Sequence, residues 1–176
     1  MQRQLTLLRH AKASWEQPSA TVAELPDHDR PLNEQGERDA PIMGQRLRQR
    51  GARPTLFLTS PAVRARQTAR IVAREIGFPQ EFLQRELDLY LATPEQILAV
   101  LARQESSFRD VIVCGHNPGL TDLANRLTGA GIDNIPTAGI VVIELPTHNW
   151  ADIGQQRAEL LLFDYPRRRP LVSDIS

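Results

Sequence analysis

The chain is 176 residues long, enough for one compact domain that hides roughly 70% of its unfolded surface. Hydrophobic residues make up 41% and charged residues 24%, the balance of a globular protein and not of a disordered one. Lys+Arg and Asp+Glu both number 21, so no global basic field exists to draw the chain onto nucleic acid or an anionic membrane.

Met1 to Leu8 lacks the long apolar run of a signal peptide and leads straight into a strand pattern at Leu5–Leu8. Asn33 to Arg50 has helical spacing, with Ala40, Met43 and Leu47 on one face; Pro41 must kink this helix or open its main part. Leu56–Leu58 is a second strand. Ser60 and Pro61 then announce a helix over Ala62 to Ile76, whose Ala65, Ala69, Val72 and Ile76 recur at helical spacing up to Gly77. Ile97, Leu98 and Leu101 mark a helix after Pro94. Val111–Cys114 is a strand, followed by Asn117 and Pro118 and a helix carrying Leu120, Leu123, Ala124 and Leu127 up to Gly129. Ile140–Leu145 and Leu160–Phe163 are the last strands, joined by a loop over Thr147 to Gln156.

Strands alternating with helices predict an α/β three-layer sandwich, with a mostly parallel central sheet flanked by helices. The last two strands lack a helix between them, so an antiparallel edge is expected near the C-terminus. One domain is expected over residues 1–165. Residues 166–176, with Arg167, Arg168 and Arg169, read as a solvated tail. No stretch of about 18 apolar residues is present, and a lone cysteine excludes an internal disulfide, so a cytoplasmic protein is expected.

In a parallel sheet, ligands bind outside the carboxyl ends of the strands, where helix N-termini favour anions. The first strand ends in Arg9–His10. The turn after the second leads to Arg64, in the first turn of its helix. The third run ends in Gly115–His116–Asn117. Two arginines can neutralise a phosphate dianion, and a neutral imidazole is a competent nucleophile near pH 7. A second histidine can donate to phosphoryl oxygens or carry a proton.

Each residue alone has a plainer reading. An Arg–His pair can be a polar strand end, and His116 can be a structural histidine. His28 and His148 lie in polar stretches and read as solvated loop residues. Cys114 is followed by no arginine in the same loop, as a cysteine phosphatase would need, and reads as a buried strand residue. Gly115 and Gly119 precede no Gly-Lys-Ser/Thr, so no Walker loop is present. No His, Cys or Asp cluster has metal-ligand spacing, so neither a metal nor a cofactor is implied.

Taken together, these residues resemble the histidine phosphatase (phosphoglycerate mutase-like) superfamily. The resemblance rests on Leu7-Leu8-Arg9-His10-Ala11-Lys12, Asp29-Arg30-Pro31-Leu32-Asn33-Glu34-Gln35-Gly36, Ser60-Pro61-Ala62-Val63-Arg64 through Ala69, and Gly115-His116-Asn117-Pro118, in the family's order. It runs from about Leu5 to Leu145 and is nearest the SixA-like phosphohistidine phosphatases. It implies that His10 accepts the phosphoryl group, that Arg9, Arg64 and His116 surround it, and that Arg30 and the Asn117 backbone are further phosphate ligands. Ala11 stands where the family usually has glycine. Many members place a glutamate acid after the third strand, and Glu86 and Asp88 are the nearby candidates.

The implied function is a metal-independent phosphatase working through a phosphohistidine at His10. Its partner would be a phosphohistidine-bearing protein, with no nucleic acid or membrane involved. A small phosphate ester is the alternative substrate. A non-catalytic phosphate-binding module on the same fold is the reading from another class, and loss of one core residue would have been its simplest sign. No insertion is large enough to enclose a phosphosugar acid, which disfavours a mutase, and the short segment from Gly77 to Pro94 leaves little chain for a lid, which favours a phosphoryl group presented on another protein.

Overall fold

The computed structural model describes residues 2–14 and 26–168. Strand β1 (Arg3–Arg9) is followed by helix α1 (Glu34–Gln49), β2 (Leu56–Thr59), α2 (Val63–Ile76), β3 (Gln84–Arg85) and α3 (Pro94–Ala102). Then come β4 (Asp110–Gly115), α4 (Gly119–Thr128), β5 (Ile140–Leu145) and β6 (Glu159–Asp164). The strands form one sheet in the order β3-β2-β4-β1-β5-β6. The pairs β3–β2, β2–β4 and β4–β1 are parallel, whereas β5 runs antiparallel to β1 and β6 antiparallel to β5. The expected sandwich and its antiparallel C-terminal edge are therefore present. The two-residue β3 is an addition, too short and too exposed to leave a pattern in the sequence.

Two apolar layers hold the sheet, because successive strand side chains alternate between its faces. Leu8, Phe57, Ile112 and Cys114 pack with Met43 and Leu47 of α1 and Ala65, Ala69 and Val72 of α2. Leu5, Leu7, Leu58, Val111 and Val113 pack with Val100 and Leu101 of α3 and Leu120, Leu123 and Leu127 of α4. Strands covered on both sides read as continuous apolar runs, as these do.

Several local expectations shift. Helix α1 neither opens nor ends at Pro41. It starts at Glu34, where the Asn33 side chain accepts from Gly36 N at 2.9 Å, and continues through the proline. Helices α2 and α4 begin at Val63 and Gly119, with Ala62 and Pro118 in the cap positions, so Ser60 and Asn117 stand before their helices and not at the caps. Both side chains still accept from main-chain N–H groups, at Ala62 and Thr121. Gly77 and Gly129 do close their helices, with φ of 78° and 68°, a conformation that costs glycine little.

The loop between β5 and β6 is more than a solvated connection. Trp150 within it is fully buried and donates Nε1–H to the Phe108 carbonyl at 2.6 Å. Of the expected tail, Arg167 and Arg168 are held to the body by Asp39 and Asp164 at 3.2 and 2.9 Å. Arg169 and the remaining tail residues lie outside the described residues. Among the described residues, no helix is long and apolar enough to cross a membrane.

Candidate active site

Strand register decides which residues meet. Arg9 is paired with Gly115 and Thr59 with Cys114, so the parallel strands β1, β2 and β4 end side by side. One residue further on, each chain leaves the sheet at the same edge, with His10, Ser60 and His116. The His10 and His116 ring centroids are 5.2 Å apart. They line a cavity of about 630 Å³ together with Arg9, Lys12, Asp27, Arg30, Arg64, Leu91 and Asn117.

His10 is fixed from behind. Its main chain bonds across to Gly115 O at 3.1 Å and Ala138 N at 3.0 Å. Its Nδ1 lies 2.8 Å from the Ala11 carbonyl. A carbonyl can only accept, so Nδ1 carries the proton and Nε2 keeps its lone pair. Burial, against the pull of that carbonyl, and then the charges of Arg64, Arg9 and Arg30 push the His10 pKa down to about 4. The ring is therefore neutral at pH 7. Ala11 is fully buried, its N–H donating to Thr68 Oγ1 at 2.9 Å, so the methyl in place of a glycine hydrogen is absorbed by the core.

His116 is also buried and neutral. Burial and the nearby His10 and Arg64, opposed by Asp27, bring its pKa to about 3. Its Nε2 is 2.7 Å from Ser60 Oγ, and Nδ1 is 3.4 Å from Arg64 Nη2. Arg64 itself is almost wholly buried, yet its Nε has no partner among the described residues. The same holds for Nε of Arg9, whose Nη1 donates to the Ile135 carbonyl at 2.8 Å. The guanidiniums of Arg9, Arg30 and Arg64 in the cavity wall, beside two neutral imidazoles, suit an oxyanion, above all a phosphate.

Arg30 reaches the cavity because the loop before α1 folds back over β1. Asn33 N donates to Lys12 O at 3.0 Å, and this approach is close enough that a Cβ on Gly36 would lie 2.2 Å from the same carbonyl. Lys12 is exposed at the rim. The Asn117 side chain is committed to Asn134, Ile135 and Thr121, so what it can offer a ligand is its main chain.

The structure does not bring Glu86 and Asp88 to the cavity. Neither lines it, and both pair with Arg103, at 2.9 and 3.4 Å. Among the described residues, the carboxylate that does line it is Asp27, which the sequence reading passed over. Burial raises its pKa, but hydrogen bonds from Tyr90, Arg30 and Arg64 outweigh this and hold the carboxyl well below the usual range. The Tyr90 ring meets His116 edge-on at 5.7 Å and His28 at 5.3 Å, so His28 is not a free loop residue. His148 remains exposed. Leu91 and Ala138, left-handed at φ 48° and 60°, both adjoin the site. Cys114 is fully buried and its pKa is pushed up to about 12, which rules it out as a thiolate nucleophile. Among the described residues, no group of three or more His, Cys, Asp or Glu side chains is placed to hold a metal ion.

Comparisons with known proteins place the chain in a family and match its fold. Residues 5–89 match the family model described as Histidine phosphatase superfamily (branch 1). An uncharacterized chloroplastic protein of Arabidopsis thaliana is 32% identical over 158 residues, covering 85% of this chain and 70% of that one. A solved structure from Agrobacterium tumefaciens, assigned as phosphohistidine phosphatase SixA, is 30% identical with a TM-score of 0.76, over 93% of this chain and 98% of its own. A second so assigned, from Nakamurella multipartitia, has the same identity and TM-score over 96% and 98%.

Proposed function

The chain belongs to the histidine phosphatase superfamily, in its SixA-like branch, and on that premise we propose that it removes phosphate from phosphohistidine carried on a protein. The observation that carries this is His10 itself. Its Nδ1–H is held on the Ala11 carbonyl, leaving the Nε2 lone pair in a cavity walled by Arg9, Arg30 and Arg64.

In the first step Nε2 attacks phosphorus and the P–N bond of the substrate breaks, its electron pair returning to the substrate ring. A ring protonated on its other nitrogen then leaves as neutral imidazole, and His10 becomes the phosphohistidine. In the second step water attacks phosphorus, the electron pair returns to Nε2, and the water's protons stay with the phosphate. Neither step requires a proton from a carboxylic acid or the service of a metal ion. The guanidiniums of Arg9, Arg30 and Arg64 and a donor on His116 stabilise the oxygens in transit.

The preference for a P–N bond rests on the absence, among the described residues, of a protonated carboxylic acid lining the cavity. An alkoxide leaving group needs a proton in the transition state, whereas an imidazole, with a reference pKa of about 6.5, does not. Asp27 lines the cavity as a carboxylate, and Glu86 and Asp88 are turned to Arg103. Brief incubation with a 32P-labelled phosphohistidine protein and a denaturing quench should leave acid-labile, base-stable label on His10. His10→Ala should lose label and turnover. Near-normal turnover by that variant would remove His10 as nucleophile, and comparable turnover of a small alkyl phosphate would favour the small-ester alternative.

A further inference from the structure

Asp27 occupies the donors that a phosphoryl group would need. Its Oδ1 accepts from Arg30 Nε at 3.1 Å and from Arg30 Nη2 at 2.9 Å. Its Oδ2 accepts from Arg64 Nη2 at 3.0 Å and from the Tyr90 hydroxyl at 2.5 Å. Its main-chain carbonyl accepts from Arg64 Nη1 at 2.7 Å. Two of the three cavity arginines are thus already turned to an anion, and that anion belongs to the chain.

Charge balance gives this arrangement a purpose. Among the described residues, Arg9, Arg30 and Arg64 contribute positive charge to the cavity wall, the two buried histidines contribute none, and Asp27 subtracts one unit. The arginines and Asp27 together leave two positive units, the complement of a phosphoryl dianion, and Lys12 adds a third at the exposed rim. Without Asp27 the surplus would hold any small phosphate, including the product, which must leave before the next turnover. A phosphorylated protein brings contacts beyond the phosphoryl group and can offset the cost of displacing a carboxylate; free phosphate cannot.

We infer that Asp27 is a resident counter-anion of the phosphate site, displaced from Arg30 and Arg64 when phosphoryl oxygens bind, and that it weakens the hold on inorganic phosphate. The inference rests on the proposed reading of the cavity as a phosphoryl site. A purely structural Asp27, which only props the arginines in place, would act with the opposite sign: its loss would loosen anions. Tyr90 serves the counter-anion, because its hydroxyl anchors the carboxylate on the cavity wall.

The test is direct binding of inorganic phosphate and of orthovanadate to the full chain, by calorimetry, for the unaltered protein, Asp27→Asn and Tyr90→Phe. Circular dichroism checks that each is folded. Asp27→Asn should bind both anions about tenfold more tightly, since charge-assisted bonds no longer have to be exchanged. Tyr90→Phe should tighten binding less, by about two- to threefold, because one neutral anchor is lost. Equal or weaker binding by a folded Asp27→Asn overturns the inference and leaves Asp27 as a prop. If that variant does not fold, equal or weaker binding by Tyr90→Phe overturns it. If the unaltered protein binds neither anion, the phosphoryl-site reading itself fails, and the inference with it.

Discussion

Ser60 Oγ and His116 Nε2 lie 2.7 Å apart, and this contact ties the turn after β2 to the turn after β4. A hydroxyl can accept from Nε2 or donate to it. Arg64 Nη2, 3.4 Å from Nδ1, can only donate, so in this geometry His116 carries its proton on Nε2 and gives it to Ser60. In the proposed mechanism a phosphoryl oxygen at Nδ1 would favour the other tautomer: the Nε2 proton is released to water, Nδ1 takes one up from water, and the Ser60 hydroxyl rotates to donate to Nε2. Ser60 also accepts from Ala62 N at 3.2 Å, which holds its oxygen in place.

Ser60→Ala should therefore lower kcat about tenfold or more, as a buried imidazole without its partner costs about 1–3 kcal/mol. Steady-state rates with an aryl phosphate, beside imidazole nitrogen shifts for His116, measure this. An unchanged rate would show that the tautomer of His116 does not matter to turnover.

Arg64→Ala should lose at least about 10²-fold in kcat, since one preorganised charge donor is commonly worth ~3 kcal/mol. The position of Arg64 in the cavity wall, with Nη2 3.4 Å from His116 Nδ1, motivates this. Vanadate, which mimics five-coordinate phosphorus, should inhibit the unaltered protein strongly, and a chelator should leave its rate unchanged. Strict dependence on added Mg²⁺ or Zn²⁺ would sink the proposed mechanism.

Acid should act on His10 at unusually low pH. Burial pushes the folded-state pKa down to about 4 against an ordinary 6.5, so the imidazole stays neutral well below pH 6, and the proposed nucleophile is lost as pH falls through about 4. The unfolded chain binds this proton near 6.5. Between the two values the unfolded state holds more protons, and stability must decline as pH falls from about 6.5 to about 4. Imidazole carbon shifts of the free protein should place the His10 titration near pH 4. A His10 that titrates above pH 6 would contradict the burial argument.

Neither Glu86→Gln nor Asp88→Asn should change kcat/KM for a phosphohistidine protein by more than about twofold, because surface pairs such as those with Arg103 are worth little. The order of kcat/KM should be phosphohistidine protein, then aryl phosphate, then alkyl phosphate, following leaving-group basicity. Loss of activity in either variant would make a general acid of a residue that the described geometry holds on Arg103.

The sequence by itself determined the layers and the strand ends. Apolar runs and helical spacing are local properties, so Leu5–Leu8, Val111–Cys114 and the α2 stripe are legible one segment at a time. The same patterns put Arg9, His10, Arg64 and His116 just past the ends of their strands, where ligands bind in a parallel sheet. What the tertiary structure alone decided is register and long-range pairing. That Arg9 stands opposite Gly115, and hence that His10 faces His116, depends on hydrogen bonds between strands more than 100 residues apart. Asp27 and Tyr90 carry no periodic signal. They enter the site because a loop and a short 3-10 turn fold over the strand ends from opposite directions in the chain. Glu86 and Asp88 show the reverse case: near the site in sequence, they are drawn away by Arg103, since a carboxylate settles on whichever cation the fold brings within reach.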